Sequence, residues 1–301
     1  MFESSRSYFL KTDRIIVPMF KGTNSRKVLK ISYDMAREYG SEITAITIRE
    51  KTESIDVQGR LSLVTAAYNE GKKAGIKVIP KIQTFDNARE GIIMETKGHY
   101  YDILFLSTRK RSMLSSSIFG NIGDYVLKNS SIPLAILSSG DKEYPYSSIL
   151  LPLSESINTR AAVYFALQLA KLHKSQVTIL DLRKYDKNPA HGFKTLMDNP
   201  AILSGSMGDI RIVRSGDSAG IKEEVGNYIK SDNPDCIIVG ITKSEKYRII
   251  SDIKFIIKEP GMLLLPVPYQ FQLIQHHDFS LLLHYLNQDL QQRSLPVLWC
   301  P

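Results

Sequence analysis

The sequence predicts an α/β protein with two tandem domains, each an open parallel five-stranded sheet flanked by helices. Short apolar runs alternate with amphipathic segments long enough to be helices, which is the pattern of parallel βαβ units. This pattern occurs twice, with an offset of about 134 residues. The length of 301 residues suits two domains, each large enough to bury its own hydrophobic core.

Two pairs of segments show the repetition most directly. Residues 14–19 (RIIVPM) return as 148–153 (SILLPL), and 101–110 (YDILFLSTRK) return as 234–243 (PDCIIVGITK). Each copy opens with an apolar strand that carries proline near its end, and later has aspartate, an apolar strand and a small residue. Because this period is far longer than that of a solenoid, it indicates two copies of one domain.

In the first copy, apolar runs predict five strands, at 15–19, 42–48, 77–84, 103–106 and 133–137. Amphipathic segments between them predict helices at 24–39, 61–74, 88–99 and 122–128. Asn24 or Ser25 is the expected N-cap of the first helix, Gly40 its end, and Gly75 the C-cap of the second. Alternation of this kind predicts right-handed crossovers between parallel strands.

The second copy repeats this order less regularly. Its predicted strands are 149–153, 176–182, 209–214, 236–239 and 262–266, and its predicted helices are 159–173 and 221–229. Residues 185–206 contain two prolines and two glycines without clear periodicity, so the second helix is weak there. The predicted organisation is a first domain at 1–139, a polar linker at 140–147, a second domain at 148–268 and a tail at 269–301.

Each copy ends in an apolar strand, and these two strands suggest how the halves associate. Unpaired strand edges are a liability in soluble proteins, and pairing two of them covers both. We therefore expect the halves to pack face to face as a pseudo-dimer, with 133–137 and 262–266 at or near the contact.

The tail at 269–301 differs from the rest of the chain because it has six glutamines and no lysine. Its leucines could line one side of a helix. It is an appendage that packs on its own domain, a tail under little selection, or a helix that binds a partner, and we expect both cores to stay folded without it.

Composition restricts the function classes. No apolar run approaches the roughly 20 residues of a membrane helix, and the N-terminus lacks a secretory signal core. Two cysteines provide no disulfide framework, so a cytoplasmic location is expected. The net charge of +8 permits binding of anions, but nucleic acid stays an electrostatic option only, because the aromatic and basic interleaving of single-strand binders is absent.

Catalytic and metal motifs are also missing from the sequence. The six histidines show no ligand spacing, so no metal is predicted. There is no nucleophile elbow, no phosphate-binding Gly-x4-Gly-Lys-Ser/Thr loop, and no set of base, nucleophile and oxyanion donors. The chain is therefore expected to be non-enzymatic.

The segment after the fourth strand is the candidate ligand site. A polar loop with three consecutive cations leads to a glycine and the start of a helix. Ligands of open α/β sheets bind beyond the carboxyl ends of the strands, and helix-start N–H groups attract phosphate. The candidate ligand-binding residues are Ser107, Arg109, Lys110, Gly120, Asn121 and Ile122. The alternative is that the cations, which include Arg111, are solvated loop residues.

Three segments carry a resemblance to a known family: 15–25, 102–106 and 120–134, of which the last reads GNIGDYVLKNSSIPL. Together they resemble the universal stress protein family, and because both halves share the pattern, the chain resembles its tandem form. The resemblance implies a Rossmann-like fold of the adenine nucleotide alpha hydrolase type, with dimer-like pairing of the halves. Members that bind ATP carry Gly-x2-Gly-x9-Gly-Ser/Thr after the fourth strand and an aspartate just past the first strand.

This chain departs from that pattern in both halves. The first two glycine positions are Ser107 and Lys110, Gly120 is kept, and the aspartate position is Phe20. In the second half Ser154 replaces the aspartate, and the loop at 241–258 is shorter and lacks glycine. We therefore expect at most one nucleotide per chain, bound weakly in the first half, with phosphates near Gly120.

Three functions remain open from these observations. The first is a cytosolic tandem regulator that binds ATP, another adenine nucleotide or another small anion in its first half. The second is a module without ligand that acts on a transporter or other protein partner, or as a homodimer. The third is a slow ATP hydrolase.

Overall fold

The computed structural model describes residues 12–21, 24–51, 57–108, 120–138, 142–154, 160–185, 209–214, 216, 220–243 and 262–268. The cations Arg109, Lys110 and Arg111 and the tail at 269–301 lie outside the described residues. The expectations for them remain predictions.

The described residues form ten strands and six α-helices. The strands are β1 (Arg14–Pro18), β2 (Glu42–Glu50), β3 (Val78–Phe85), β4 (Ile103–Thr108), β5 (Leu134–Ser138), β6 (Ser148–Leu153), β7 (Gln176–Asp181), β8 (Ile210–Arg214), β9 (Cys236–Lys243) and β10 (Met262–Pro268). The helices are α1 (Asn24–Tyr39), α2 (Val57–Lys73), α3 (Ala88–Gly98), α4 (Gly120–Asn129), α5 (Arg160–His173) and α6 (Ile221–Asp232), with a 3-10 turn at Arg183–Tyr185. The predicted α/β fold is confirmed, with element ends shifted by a few residues.

All ten strands belong to one sheet, in the order β3-β2-β1-β4-β5-β10-β9-β6-β7-β8. The strands within each half are parallel, whereas β5 and β10 pair antiparallel, with Leu137 opposite Leu263 and Ile136 opposite Leu264. The expected contact between the two last strands is therefore confirmed. The expected face-to-face packing is wrong, because each strand completes the hydrogen-bond ladder of the other and the halves join edge to edge.

Helices cover both faces of this sheet. One core contains buried residues of α1, α2 and α5, and the other contains buried residues of α3, α4 and α6. An antiparallel edge join keeps the same face of both halves on one side, so equivalent helices of the halves share a core. Phe105 on β4 and Phe165 on α5 illustrate this, with ring centroids 6.1 Å apart across the two halves.

An aspartate precedes the fourth strand of each half and explains part of the repeat. Asp102 Oδ2 accepts a hydrogen bond of 2.8 Å from the backbone N–H of Arg14, at the start of β1. Asp235 Oδ2 accepts from the N–H groups of Ser147 and Ser148, at 2.9 and 3.2 Å, at the start of β6. This repeated aspartate therefore ties two neighbouring strands together at their amino ends and has a structural role.

The segment between the halves carries two buried tyrosines, which its polar composition does not predict. Tyr144 OH donates a 2.6 Å hydrogen bond to Asp34 Oδ2 on α1, and His173 Nε2 on α5 lies 2.9 Å from the same oxygen. Arg37 donates to the other carboxylate oxygen at 2.7 Å. We call Asp34, Arg37, Tyr144 and His173 the Asp34 cluster; it joins the first half, the connecting segment and the second half.

The Asp34 cluster has no copy at the symmetry-related position. With the offset of about 134 residues, Asp34 corresponds to Gln168 and His173 corresponds to Tyr39. The two halves thus share one fold, but the polar contacts of the Asp34 cluster occur on one side of their interface and are not repeated at the symmetry-related position.

The outer edge of the first half is β3. Ile43 N–H donates to Lys77 O and Lys51 N–H to Phe85 O. The odd-numbered residues of β3 and its flanks therefore direct their backbone groups toward β2. Even-numbered residues, including the exposed Pro80, therefore direct their backbone groups to the open edge. Proline has no N–H to offer a further strand, which makes it suited to an edge.

Candidate ligand-binding site

The strand order places a crevice at the carboxyl ends of β1 and β4. From β1 the sheet continues to β2 on one side and to β4 on the other, which makes this the switch point where open α/β sheets bind ligands. The equivalent point of the second half lies between β6 and β9. Because the halves join antiparallel, the two crevices open at opposite ends of the molecule.

The turn after β1 is closed by hydrogen bonding and apolar packing. The backbone N–H of Phe20 donates to the buried Ser25 Oγ at 3.0 Å. Since α1 begins at Asn24, neither Asn24 nor Ser25 is the residue before the helix, and the predicted N-cap is wrong. The Phe20 side chain packs against the core beneath α3 and α4. An apolar ring thus lies where nucleotide-binding relatives are expected to have an aspartate.

The end of β4 contributes two hydroxyl groups. Ser107 is half-buried and, by strand alternation, lies on the same face as Phe105, which is the face that α1 covers. Thr108 is buried, and its hydroxyl lies 3.4 Å from Leu137 O on β5. Ser107 is therefore on the other face of the sheet from α4.

Three predicted site residues, Gly120, Asn121 and Ile122, form the first turn of α4. This turn contains no acidic residue, so no carboxylate of its own competes for the helix-start N–H groups. Ile122 packs against the core, whereas Asn121 is exposed. Asn121 Oδ1 accepts a 2.6 Å hydrogen bond from Arg89 Nη1.

Arg89 is a residue of this region that the sequence-based prediction missed. It lies in the first turn of α3, half-buried, with its guanidinium carbon 4.8 Å from the ring centroid of Tyr125 on α4. Within the described part of the chain it forms no ion pair, and its buried Nε has no hydrogen-bond partner. A signal was present in the sequence, because a cation in the first turn of a helix opposes the helix dipole and suggests another role.

A second half-buried arginine lies near the same edge. Arg49 is the penultimate residue of β2, and its Nε is also buried without a partner among the described residues. Neighbouring charges there are matched, since Lys51 pairs with Asp86 at 2.7 Å and Glu50 accepts from the N–H of Ala88 at 2.8 Å. The carboxyl edge of the first half thus carries two guanidinium groups without carboxylate partners in the described structure.

The second half has a different arrangement at its carboxyl edge. Arg183 donates to both oxygens of Asp181, at 2.9 and 3.0 Å. Burial acts to raise the pKa of Asp181, but hydrogen bonds from Arg183 outweigh it, so this pKa is lowered. At the position of Arg89 the second half has Lys222, if α6 is aligned with α3 from their first residues. In the second half, Arg183 near the strand ends is therefore already neutralised by Asp181.

Comparison with known proteins agrees with the fold and the sequence pattern. The sequence profile of the universal stress protein family matches residues 11–138. Residues 11–138 are a universal stress protein domain. The second half repeats the fold of this domain, strand for strand, as the sheet order shows.

Solved structures similar to the whole chain include other proteins of this architecture. A universal stress protein from Archaeoglobus fulgidus DSM 4304 has a TM-score of 0.56 and 15% identity, over 86% of this chain and 99% of its own. A functionally unknown protein from Pseudomonas aeruginosa PAO1 has a TM-score of 0.60 and 12% identity, over 93% and 98% of the two chains. No curated protein matches the sequence. At these identities the likeness shows the fold of both halves together.

The described residues include neither a metal-binding cluster nor a membrane-spanning helix. Within the described ranges, no group of three or more His, Cys, Asp or Glu residues could hold a metal ion. No helix in that part of the chain is long and apolar enough to cross a membrane.

Proposed function

We propose that the universal stress protein domain at residues 11–138 binds an adenine nucleotide, or another small phosphate-bearing anion, and that the chain is a regulator rather than an enzyme. The observation that carries the anion part is Arg89, a half-buried guanidinium without a carboxylate partner in the described structure, bound to the first turn of α4. A buried charge is costly unless it is paired, so this position favours an anionic ligand.

The adenine part of the proposal rests on the family. Gly120 and the crevice between β1 and β4 stand where nucleotide-binding members hold their ligand, while Phe20 and the two lost glycines predict weak binding. Binding would regulate by favouring one conformation of the loop after β4, which requires different affinities for two loop states. The second half, with its internally paired Asp181 and Arg183, would have a structural role.

Calorimetry with ATP, ADP and AMP tests this proposal directly. We expect one site per chain, and native mass spectrometry of the purified protein should show the same stoichiometry. A parallel assay for phosphate release should give no turnover. Two sites per chain would contradict the assignment to the first half, and steady ATP hydrolysis would favour the enzyme.

A module that has lost its ligand is the second candidate, and Phe20 is the observation that favours it. Its ring packs on the core beside the crevice, and it cannot accept hydrogen bonds from a ribose. Absence of binding for all three nucleotides and for inorganic phosphate would support this candidate, whose partner would then be a transporter, another protein or a second copy.

A further inference from the structure

We infer that Arg89 is the specificity-determining residue of the first-half site, and that it recognises the phosphate charge of the ligand. This inference rests on the proposed function and adds the residue that replaces the missing glycine-rich loop contacts. It predicts that affinity depends on the number of phosphate groups more than on the base.

The guanidinium of Arg89 is held by two groups of the same helix. Nη1 donates to Asn121 Oδ1, and the guanidinium carbon lies 4.8 Å from the centroid of the Tyr125 ring. Both contacts come from α4, whose first turn is the expected phosphate position. Because the side chain is already held against α4, little side-chain freedom would be lost on binding a ligand there.

The donors of Arg89 that remain are those suited to a phosphate. Nη1 is bonded to Asn121, whereas Nε and Nη2 bond no group in the described residues. Nε and Nη2 form one edge of the guanidinium, and such an edge matches two oxygens of a phosphate. Burial of Nε without a partner is unfavourable, so a phosphate oxygen that accepts from Nε would remove this cost.

The second half supplies a matched comparison. Lys222 stands at the equivalent place in α6, and an ammonium lacks the planar pair of donors that Arg89 provides. If phosphate recognition occurs in the first half, its contribution to nucleotide affinity should be lost when Arg89 is substituted. It should be unchanged when Lys222 is substituted.

The experiment measures calorimetric affinities of the full chain and three variants, R89Q, R89K and K222Q, for adenosine, AMP, ADP and ATP. For wild type we expect affinity to rise from adenosine to ATP, with inorganic phosphate competing. R89Q should weaken ATP binding by about 10- to 100-fold, the range for losing hydrogen bonds to a charged group, and should flatten the dependence on phosphate number. R89K should restore part of that dependence, and K222Q should resemble wild type.

The outcomes separate the inference from the proposed function. If wild type binds nucleotides and R89Q keeps the same dependence on phosphate number, Arg89 is not the recognition residue, although the proposed function stands. If wild type binds neither nucleotides nor phosphate, both fail together. An equal loss for adenosine and ATP in R89Q, with an unchanged circular dichroism spectrum, also overturns phosphate recognition, because it indicates a general effect on the site.

Discussion

Substitution of Tyr144 by phenylalanine tests whether the Asp34 cluster holds the two halves together. The change removes one hydroxyl and keeps the ring, which contacts Tyr146 edge-on at 5.4 Å between centroids. Burial and the hydrogen bond to Asp34 raise the pKa of Tyr144, so the hydroxyl is a donor at any ordinary pH. Hydrogen bonds to charged groups contribute roughly 1.5–3 kcal/mol. Since Asp34 keeps its contacts with His173 and Arg37, we expect a loss of stability near the lower limit, about 1.5 kcal/mol.

The matched control is Tyr33→Phe, which removes another buried hydroxyl. Tyr33 OH donates at 2.6 Å to Ala67 O, so its bond joins α1 and α2 within the first half. Because this acceptor is a neutral carbonyl, Tyr33→Phe should lower the free energy of unfolding by about 1 kcal/mol. Urea unfolding gives the free energies, and hydrogen exchange locates the effects. Tyr144→Phe should increase exchange in both α1 and α5, and Tyr33→Phe in the first half only. If Tyr144→Phe leaves α5 unchanged, the cluster does not couple the halves.

Three further predictions concern the repeat, the pH dependence and the loop. Asp235→Ala should lower the free energy of unfolding in urea by about 1.5–3 kcal/mol, because its carboxylate accepts hydrogen bonds from the backbone N–H groups of Ser147 and Ser148; an unchanged free energy would contradict the structural role of this aspartate. The lowered pKa of Asp181 means that its ionised form stabilises the fold at neutral pH, so the stability difference between wild type and Asp181→Asn should shrink as the pH falls below about 4, the ordinary pKa of an aspartate. In calorimetry with ATP, Lys110→Ala should weaken binding by roughly 1–2 kcal/mol and Gly120→Val by more; a site that neither change affects would contradict the position of the phosphates.

The fold was largely predictable because its signals are local. Apolar runs such as β4 and β5 are buried on both faces of the sheet, and the amphipathic α1 ends at a turn that Gly40 marks. The repeat then supplied the number of strands per half. Even the pairing of β5 with β10 followed from the argument that an open edge needs a partner, although the geometry of that pairing did not.

The contacts between distant residues were not predictable in the same way. The partners in Tyr144–Asp34 and Tyr144–His173 are 110 and 29 residues apart, and no periodicity in the sequence relates them. Arg89 was missed for the same reason, since its bond to Asn121 joins two helices whose packing depends on the sheet. The first turn of α4 could be proposed as a ligand site because a glycine near a helix start is a local pattern. The contact of Arg89 with this turn joins residues 32 positions apart, and no local pattern indicates it.

The antiparallel join between β5 and β10 has a consequence for how other molecules can approach. A rotation of half a turn about the normal to the sheet exchanges the two copies, so the carboxyl ends of the parallel strands of one copy point away from those of the other. A molecule that binds at the carboxyl ends of the strands of the first copy is therefore far from the carboxyl ends of the strands of the second. One chain thus presents two unlike sets of strand ends at opposite sides of one continuous sheet.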